Sequence, residues 1–215
     1  MNHLLKTIVR VLIFGAICFL FLLMFQQAWA ACEPKVATQC EGVQLDRLDW
    51  RNANLEGGNF RNADLRHANL TGANLKGADL RGANLQFARL QQSDLTGADL
   101  EGADLRWANL ERSTLVRARF VNAQMSKADL QDADLSMAVL TGADLTRTDL
   151  VNSDLHQTDL RNTRLDGAYL NHANLKQANL TGSSINRTRL DEARLNEATW
   201  TNGRACRAPS IGECN

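Results

Sequence analysis

Large apolar residues recur at every fifth position from residue 45 to residue 200, without a break in register. Most of these 32 positions hold leucine. Two residues earlier lies, in almost every unit, a small residue that is usually alanine and in places serine or threonine. The position between the two is rich in Asp and Asn, as in Ala78-Asp79-Leu80. The chain therefore has to be interpreted first of all as a repeat.

Neither regular secondary structure accommodates a period of five. In an α-helix five residues rotate the apolar position by about 140°, and in a strand an odd repeat sends successive leucines to opposite faces. If the chain instead bends once per unit, the small residue and the leucine both point inward, and the Asp or Asn points outward. Four bends of about 90° then close a 20-residue coil, and the pattern predicts about eight coils stacked at about 4.8 Å.

The Ala-(Asp/Asn)-Leu-x-x run from about Leu45 to Trp200 resembles the pentapeptide repeat family, over more than 70% of the chain. The resemblance implies an all-β fold, a right-handed quadrilateral β-helix, and it is the resemblance that gives the handedness. The tail from Trp200 to Cys214 also resembles the capping tails of exported bacterial members of the family.

The first 30 residues differ in composition from the rest. Lys6 and Arg10 precede an uncharged apolar run from Val11 to Phe25, and Ala28-Trp29-Ala30 supplies a small-x-small cleavage pattern. This arrangement is typical of a secretory signal peptide, so residues 1–30 predict an exported, periplasmic or extracellular protein. The alternative is an uncleaved membrane anchor, because residues 11–31 approach the roughly 20 residues that span a bilayer.

Removal of residues 1–30 would take Cys18 away and leave four cysteines, between which export makes disulfide bonds possible. The predicted rod holds its two ends far apart, whereas a disulfide requires Cα atoms within about 7 Å. We therefore expect the local pairs Cys32–Cys40 and Cys206–Cys214, with free or metal-binding thiols as the alternative. The sequence thus predicts an N-terminal cap at residues 31–44, the β-helix at residues 45–200 and a C-terminal cap at residues 201–215.

One column of outward residues is unusual. Residues 20 apart should stack, which places Phe87 and Trp107 side by side, with a histidine below them and basic residues at both ends. The candidate binding residues are His67, Phe87, Trp107, Lys127 and Arg147. A flat aromatic ledge could bind a sugar ring, a base or an apolar side chain. The alternative is that the rings stack on each other and stabilise the wall.

Catalytic and metal chemistry find little support. His67, His156 and His172 fall on three different faces, and the sequence contains no phosphate loop, zinc spacing or nucleophile elbow. The pairs Asp129/Asp149 and Asp134/Asp154 should each lie one coil apart, but two carboxylates alone make a poor metal site. We therefore expect no enzyme, no cofactor and no metal.

Three functions stay open. The first is an exported binding or scaffold protein with an unknown protein or polysaccharide partner, and the second is a membrane-tethered spacer if residues 1–30 are retained. The third is implied by the resemblance: the family's best-understood members mimic B-DNA and bind DNA gyrase. Such a mimic should be cytoplasmic and strongly acidic. Removal of residues 1–30 takes away two of 24 basic residues and no acidic one, which leaves a net charge near −2, so we expect no nucleic-acid partner.

Overall fold

The structure is a computed structural model that describes residues 32–207 and 210–214. The chain divides into two compact units, Met1–Glu33 and Pro34–Asn215. The predicted signal peptide or anchor at residues 1–30 lies outside the described residues. Within the described ranges, no helix has the length and hydropathy needed to cross a membrane.

The second unit is built from one backbone conformation that recurs every five residues from residue 36 to residue 200. Each unit contributes a single bridging residue, which pairs in parallel with the residue 20 positions later, from Gln39↔Asn59 to Asn179↔Thr199. The described residues therefore contain no α-helix and no strand longer than one bridging residue. Four bridging residues per 20-residue turn of the chain define the coils of a parallel β-helix.

Each unit bends through a type II β-turn. The carbonyl of Leu65 accepts a hydrogen bond from the N–H of Ala68 (3.1 Å), and the third turn residue, His67, has a φ of 57°. A left-handed third residue closed by this hydrogen bond is the signature of the type II turn. Every fifth residue from Ala37 to Glu197 has such a φ. We call these the corner residues.

Hydrogen bonds between coils satisfy the backbone. The N–H of Leu105 donates to the carbonyl of Gln124 in the next coil (2.7 Å), and the N–H of Asp104 donates to Ala83 in the previous one (2.9 Å). The inward leucine and alanine are buried in all units between Leu55 and Leu180, and several are partly exposed nearer the ends. Where serine replaces alanine, its hydroxyl bonds a carbonyl, as Ser93 Oγ does with Leu90 (2.6 Å). Polar wall residues therefore add no unsatisfied group to the core.

The repeated conformation already includes residues upstream of 45. Cys40 is buried at a leucine position, Thr38 is buried at an alanine position, and Ala37 and Gly42 are corner residues. The coil register is therefore established before the leucine pattern becomes visible. Cys32 and Cys40 are both disulfide-bonded.

At the other end, the chain folds back over the last coil. Thr199 pairs antiparallel with Ala205, and Arg194 pairs antiparallel with Ile211. The disulfide between Cys206 and Cys214 closes this returning segment. The open backbone edge of the last coil is thus partly covered by the chain itself.

Two glycines at corner positions offer a matched test of this packing. Alanine at either would adopt a left-handed φ, which costs about 1–2 kcal/mol. At Gly82 the added methyl group would also lie 2.5 Å from Oδ1 of Asn62, whereas at Gly77 nothing lies within 4 Å. We expect Gly82→Ala to lower the free energy of unfolding more than Gly77→Ala does, by about 1 kcal/mol, the lower end of overpacking costs. Urea unfolding measures both, and equal losses would contradict the predicted contact.

Candidate functional site

The coil register brings four of the predicted binding residues into one stack. The rings of His67 and Phe87 lie 5.0 Å apart between centroids at an interplanar angle of 7°. Phe87 and Trp107 follow at 6.2 Å and 11°. The Lys127 ammonium lies 4.1 Å from the centroid of the Trp107 ring. We call these four residues the aromatic ladder.

The fifth predicted residue, Arg147, lies one coil beyond Lys127 and is exposed. Its side chain makes no ring contact or ion pair with the rest of the described chain. It therefore extends the column of corner residues without joining the stack.

The ladder presents ring edges. Phe87 is 45% exposed and Trp107 is 51% exposed. The two faces of Phe87 lie against His67 and Trp107, and the second face of Trp107 lies under Lys127. The rings thus turn their faces toward one another along the column, and the binding ledge that we expected from the sequence stays a prediction.

The ladder aromatics share the left-handed φ of all corner residues. Phe87 (φ 58°) and Trp107 (φ 62°) are corner residues, for which glycine and asparagine are the favourable choices. One of the other three corner columns contains only those two types: Asn62, Gly82, Gly102, Asn122, Gly142, Asn162 and Gly182. The hydrogen bonds from the N–H groups of Phe87 (3.2 Å) and Trp107 (3.3 Å) to the next coil are the longest of their kind among the described corner residues.

The free energy gained by ring stacking is similar in size to the free energy that a left-handed φ costs. A left-handed φ costs about 1–2 kcal/mol for a side chain with a Cβ, and an aromatic pair gains about 0.5–1.5 kcal/mol beyond its buried area. The rings do stack on each other, as one of the two sequence-based interpretations holds. That stacking is comparable to the cost of the left-handed φ, which every corner residue other than glycine also pays.

Carboxylates on the face next to the ladder are neutralised locally. Arg66 Nη2 bonds Oδ2 of Asp64 at 2.6 Å, and Arg106 bonds Asp104 in the same way. Hydrogen bonding from the Arg66 guanidinium holds the pKa of Asp64 below its usual value, against the opposing effect of burial. The negative charges of Asp64 and Asp104 are therefore offset beside the ladder.

These ion pairs belong to a pattern that we did not predict from the sequence. In each, an Asp and an Arg flank one inward residue, so both side chains project from the same wall. The pairs are Asp49–Arg51, Asp64–Arg66, Asp79–Arg81, Asp104–Arg106 and Asp159–Arg161. The signal is visible in the sequence as Asp-x-Arg with an apolar residue between.

His156 and His172 lie outside the ladder column, whereas the paired Asp129 and Asp149 lie on the wall beside it. His156 Nδ1 contacts the carbonyl of Lys176 (3.0 Å), and His172 Nδ1 lies 3.1 Å from Glu192. Asp129 and Asp149 are bridging partners on adjacent coils. Across the residues that the structure describes, no group of three or more His, Cys, Asp or Glu side chains is arranged to hold a metal ion.

A depression of about 770 Å³ lies at the C-terminal end, beside the disulfide. Its lining is formed by Trp200, Asn202, Arg204, Ala205, Arg207 and Cys214. It is a second surface feature that the sequence analysis did not predict.

Comparison with known proteins yields one family and several solved structures. The profile described as pentapeptide repeats matches residues 38–77, 59–97, 98–136, 128–167 and 158–196. No curated protein matches. HetL, a pentapeptide repeat protein involved in heterocyst differentiation regulation from the cyanobacterium Nostoc sp. strain PCC 7120, is 26% identical, with 84% of this chain and 97% of HetL covered and a TM-score of 0.42. Trypsin-treated QnrB1, a plasmid-mediated fluoroquinolone resistance protein, is 20% identical, with 81% and 86% covered and a TM-score of 0.49.

Replacement of both ladder aromatics tests whether they serve stability. We expect Phe87→Asn with Trp107→Asn to change the free energy of unfolding by less than about 1 kcal/mol, because relief of the left-handed strain offsets the lost stacking. Leu105→Ala, which empties a buried core position, should cost about 2–5 kcal/mol in the same urea titration. If the double variant lost as much free energy of unfolding as Leu105→Ala does, the ladder would have a structural role.

Replacement of Asp129 and of Asp64 should shift the thermal midpoint at pH 7 in opposite directions. Burial raises the pKa of Asp129, and the carboxylates of Asp149, Glu111 and Asp132 add to this effect. The ionised form is thus disfavoured in the fold, and stability is lost as pH rises through the folded pKa. Asp129→Asn should therefore raise the thermal midpoint at pH 7 and leave it unchanged at pH 3.

Asp64 is the matched control, because its pKa is lowered. Its contribution is present at neutral pH and is lost as pH falls through the folded pKa. Asp64→Asn should lower the midpoint at pH 7. If both variants shift the midpoint in the same direction, the opposite environments assigned to the two carboxyls are wrong.

Proposed function

Because this chain belongs to the pentapeptide repeat family, whose profile it matches between residues 38 and 196, we propose that it is a non-enzymatic binding or scaffold protein. Its partner binds the aromatic ladder on the rigid wall. The observation that carries this proposal is the pair of half-exposed aromatic side chains, Phe87 and Trp107, stacked on adjacent coils. Adjacent exposed aromatic side chains on a soluble protein mark an interaction surface.

The chemistry of the ladder supports recognition. It joins an imidazole, a phenyl ring, an indole and an ammonium group by stacking. Binding energy at protein interfaces is concentrated on a few large aromatic and cationic side chains. Because these four are fixed to consecutive coils, they are ordered before a partner arrives, and little side-chain entropy is lost on binding.

Export is part of the proposal. The Cys206–Cys214 disulfide, together with disulfide-bonded Cys32 and Cys40, is compatible with an oxidising compartment. Residues 1–30 have the sequence of a signal peptide. The mature protein is then a periplasmic or extracellular right-handed β-helix of about eight coils, with a disulfide-linked cap at each end.

DNA mimicry receives no support from the charge distribution. A mimic of B-DNA needs a dense row of free carboxylates, since the phosphates it imitates are closely spaced. Here five Asp carboxylates are each bound by an arginine two residues away. Outside residues 1–30 the chain holds 22 basic and 24 acidic residues, so it lacks the large negative charge that such mimicry requires.

A pull-down from the exported fraction of the source organism tests the proposal. The full chain is expressed, and the purified exported product is compared with the Phe87→Asn/Trp107→Asn variant and with Met137→Asn. Met137 is the matched control, because it is a 40% exposed corner residue of another column. We expect a partner that the wild-type protein and Met137→Asn retain and the ladder variant loses, as quantified by mass spectrometry. The same set of proteins on all three baits would refute a ladder-dependent function.

A further inference from the structure

We propose that the occupant of the aromatic ladder is an extended acidic segment of a partner protein, about six residues long, with carboxylates at its ends and apolar side chains between them. The inference rests on the proposed binding function and adds the chemistry of the partner. Three features of the ladder carry it: the ring edges, the unpaired donors and the spacing along the column.

The exposed part of each ring is its positive part. An aromatic ring has a negative face and a positive edge. In the ladder, the faces of Phe87 are turned toward His67 and Trp107, and the outer face of Trp107 is covered by the Lys127 ammonium. A partner that approaches from solvent therefore meets edges, which attract anions and tolerate apolar groups.

Several hydrogen-bond donors along the ladder lack a partner. Within residues 32–207 and 210–214, the indole N–H of Trp107 donates to no acceptor, and the guanidinium groups of Arg47, Arg89 and Arg147 form no ion pair. All three arginines are exposed. An ionised carboxylate is the protein side chain that only accepts hydrogen bonds, so it is the complement of this set.

Once local ion pairs are set aside, positive charge is in slight excess along this surface. Asp49, Asp64, Asp104 and Asp144 are each paired with an arginine. The other acidic residues beside the column are Asp46, Asp129 and Asp149, and the basic residues without an ion pair are Arg47, Arg89, Lys127 and Arg147.

The spacing sets the length of the segment. Arg47 and Lys127 lie four coils apart on the same column, which corresponds to about 19 Å at about 4.8 Å per coil. An extended chain rises about 3.3 Å per residue, so about six residues connect the two cations. The middle of such a segment lies over the edges of Phe87 and Trp107, where apolar side chains fit.

A polysaccharide fits the ladder less well. Its hydroxyl groups both donate and accept hydrogen bonds, whereas the ladder and its border offer mainly donors. A ring that stacks on an aromatic side chain uses the flat face, as bases do, and those faces are covered. We therefore assign the partner to proteins and use an anionic polysaccharide as the competing probe.

The probe is a fluorescein-labelled hexapeptide with two glutamates at each end of a Leu-Phe pair, titrated against protein purified after expression of the full chain. We expect its affinity to exceed that of the analogue with glutamine in place of glutamate by at least tenfold, and to fall as salt rises. Lys127→Gln and Arg89→Gln should each weaken binding about fivefold or more. Arg117→Gln, at an exposed corner of another column, should leave the affinity unchanged.

Three outcomes would overturn the assignment: equal affinity for the two peptides, no binding of the acidic peptide at millimolar protein, or ladder-dependent binding of polygalacturonate in its place. These results are distinguishable from failure of the proposed function. A partner captured through the ladder in the pull-down, together with a negative peptide result, would refute only the acidic chemistry. Identical captured sets on all baits would refute the binding function itself.

Discussion

The left-handed corner residue is the constraint on which the rest of the structure depends. At every fifth position a φ near +60° closes a type II turn, as at His67. Four such turns return the chain to the point where its N–H and carbonyl groups meet those of the next coil, as Leu105 meets Gln124. The inward leucine, the tightly packed alanine and the outward bridging residue all take their directions from that turn.

The same constraint gives the surface its order. Because the coil length is constant, residues 20 apart form straight columns, and a property that recurs every 20 residues becomes a continuous strip. Most corner positions are filled without bulky apolar side chains. Phe87 and Trp107 depart from this rule at adjacent coils, and their N–H groups make the longest corner hydrogen bonds to the next coil. The regular column therefore brings two exposed aromatic side chains into one stack.

Much of the fold could be predicted from the sequence, because a period of five excludes every regular element and leaves one bend per unit. The burial of Leu105 and Ala103 follows directly from that period, as does the adjacency of Phe87 and Trp107. The start of the coils could not be predicted from the leucine pattern, because Thr38 and Cys40 occupy the alanine and leucine positions there. The Asp–Arg pairs could not be predicted from the 20-residue columns, because the two members of each pair lie two residues apart and belong to different columns.

The sequence by itself determined the coil length, the inward and outward positions and the column that carries the ladder, because these depend only on periodicity. Only the tertiary structure decided that the rings of His67, Phe87 and Trp107 lie parallel with their faces covered, and that Lys127 closes the stack. The orientation of a ring depends on its rotamer, and the rotamer depends on contacts with residues 20 positions away. Such contacts exist only after the coils have stacked.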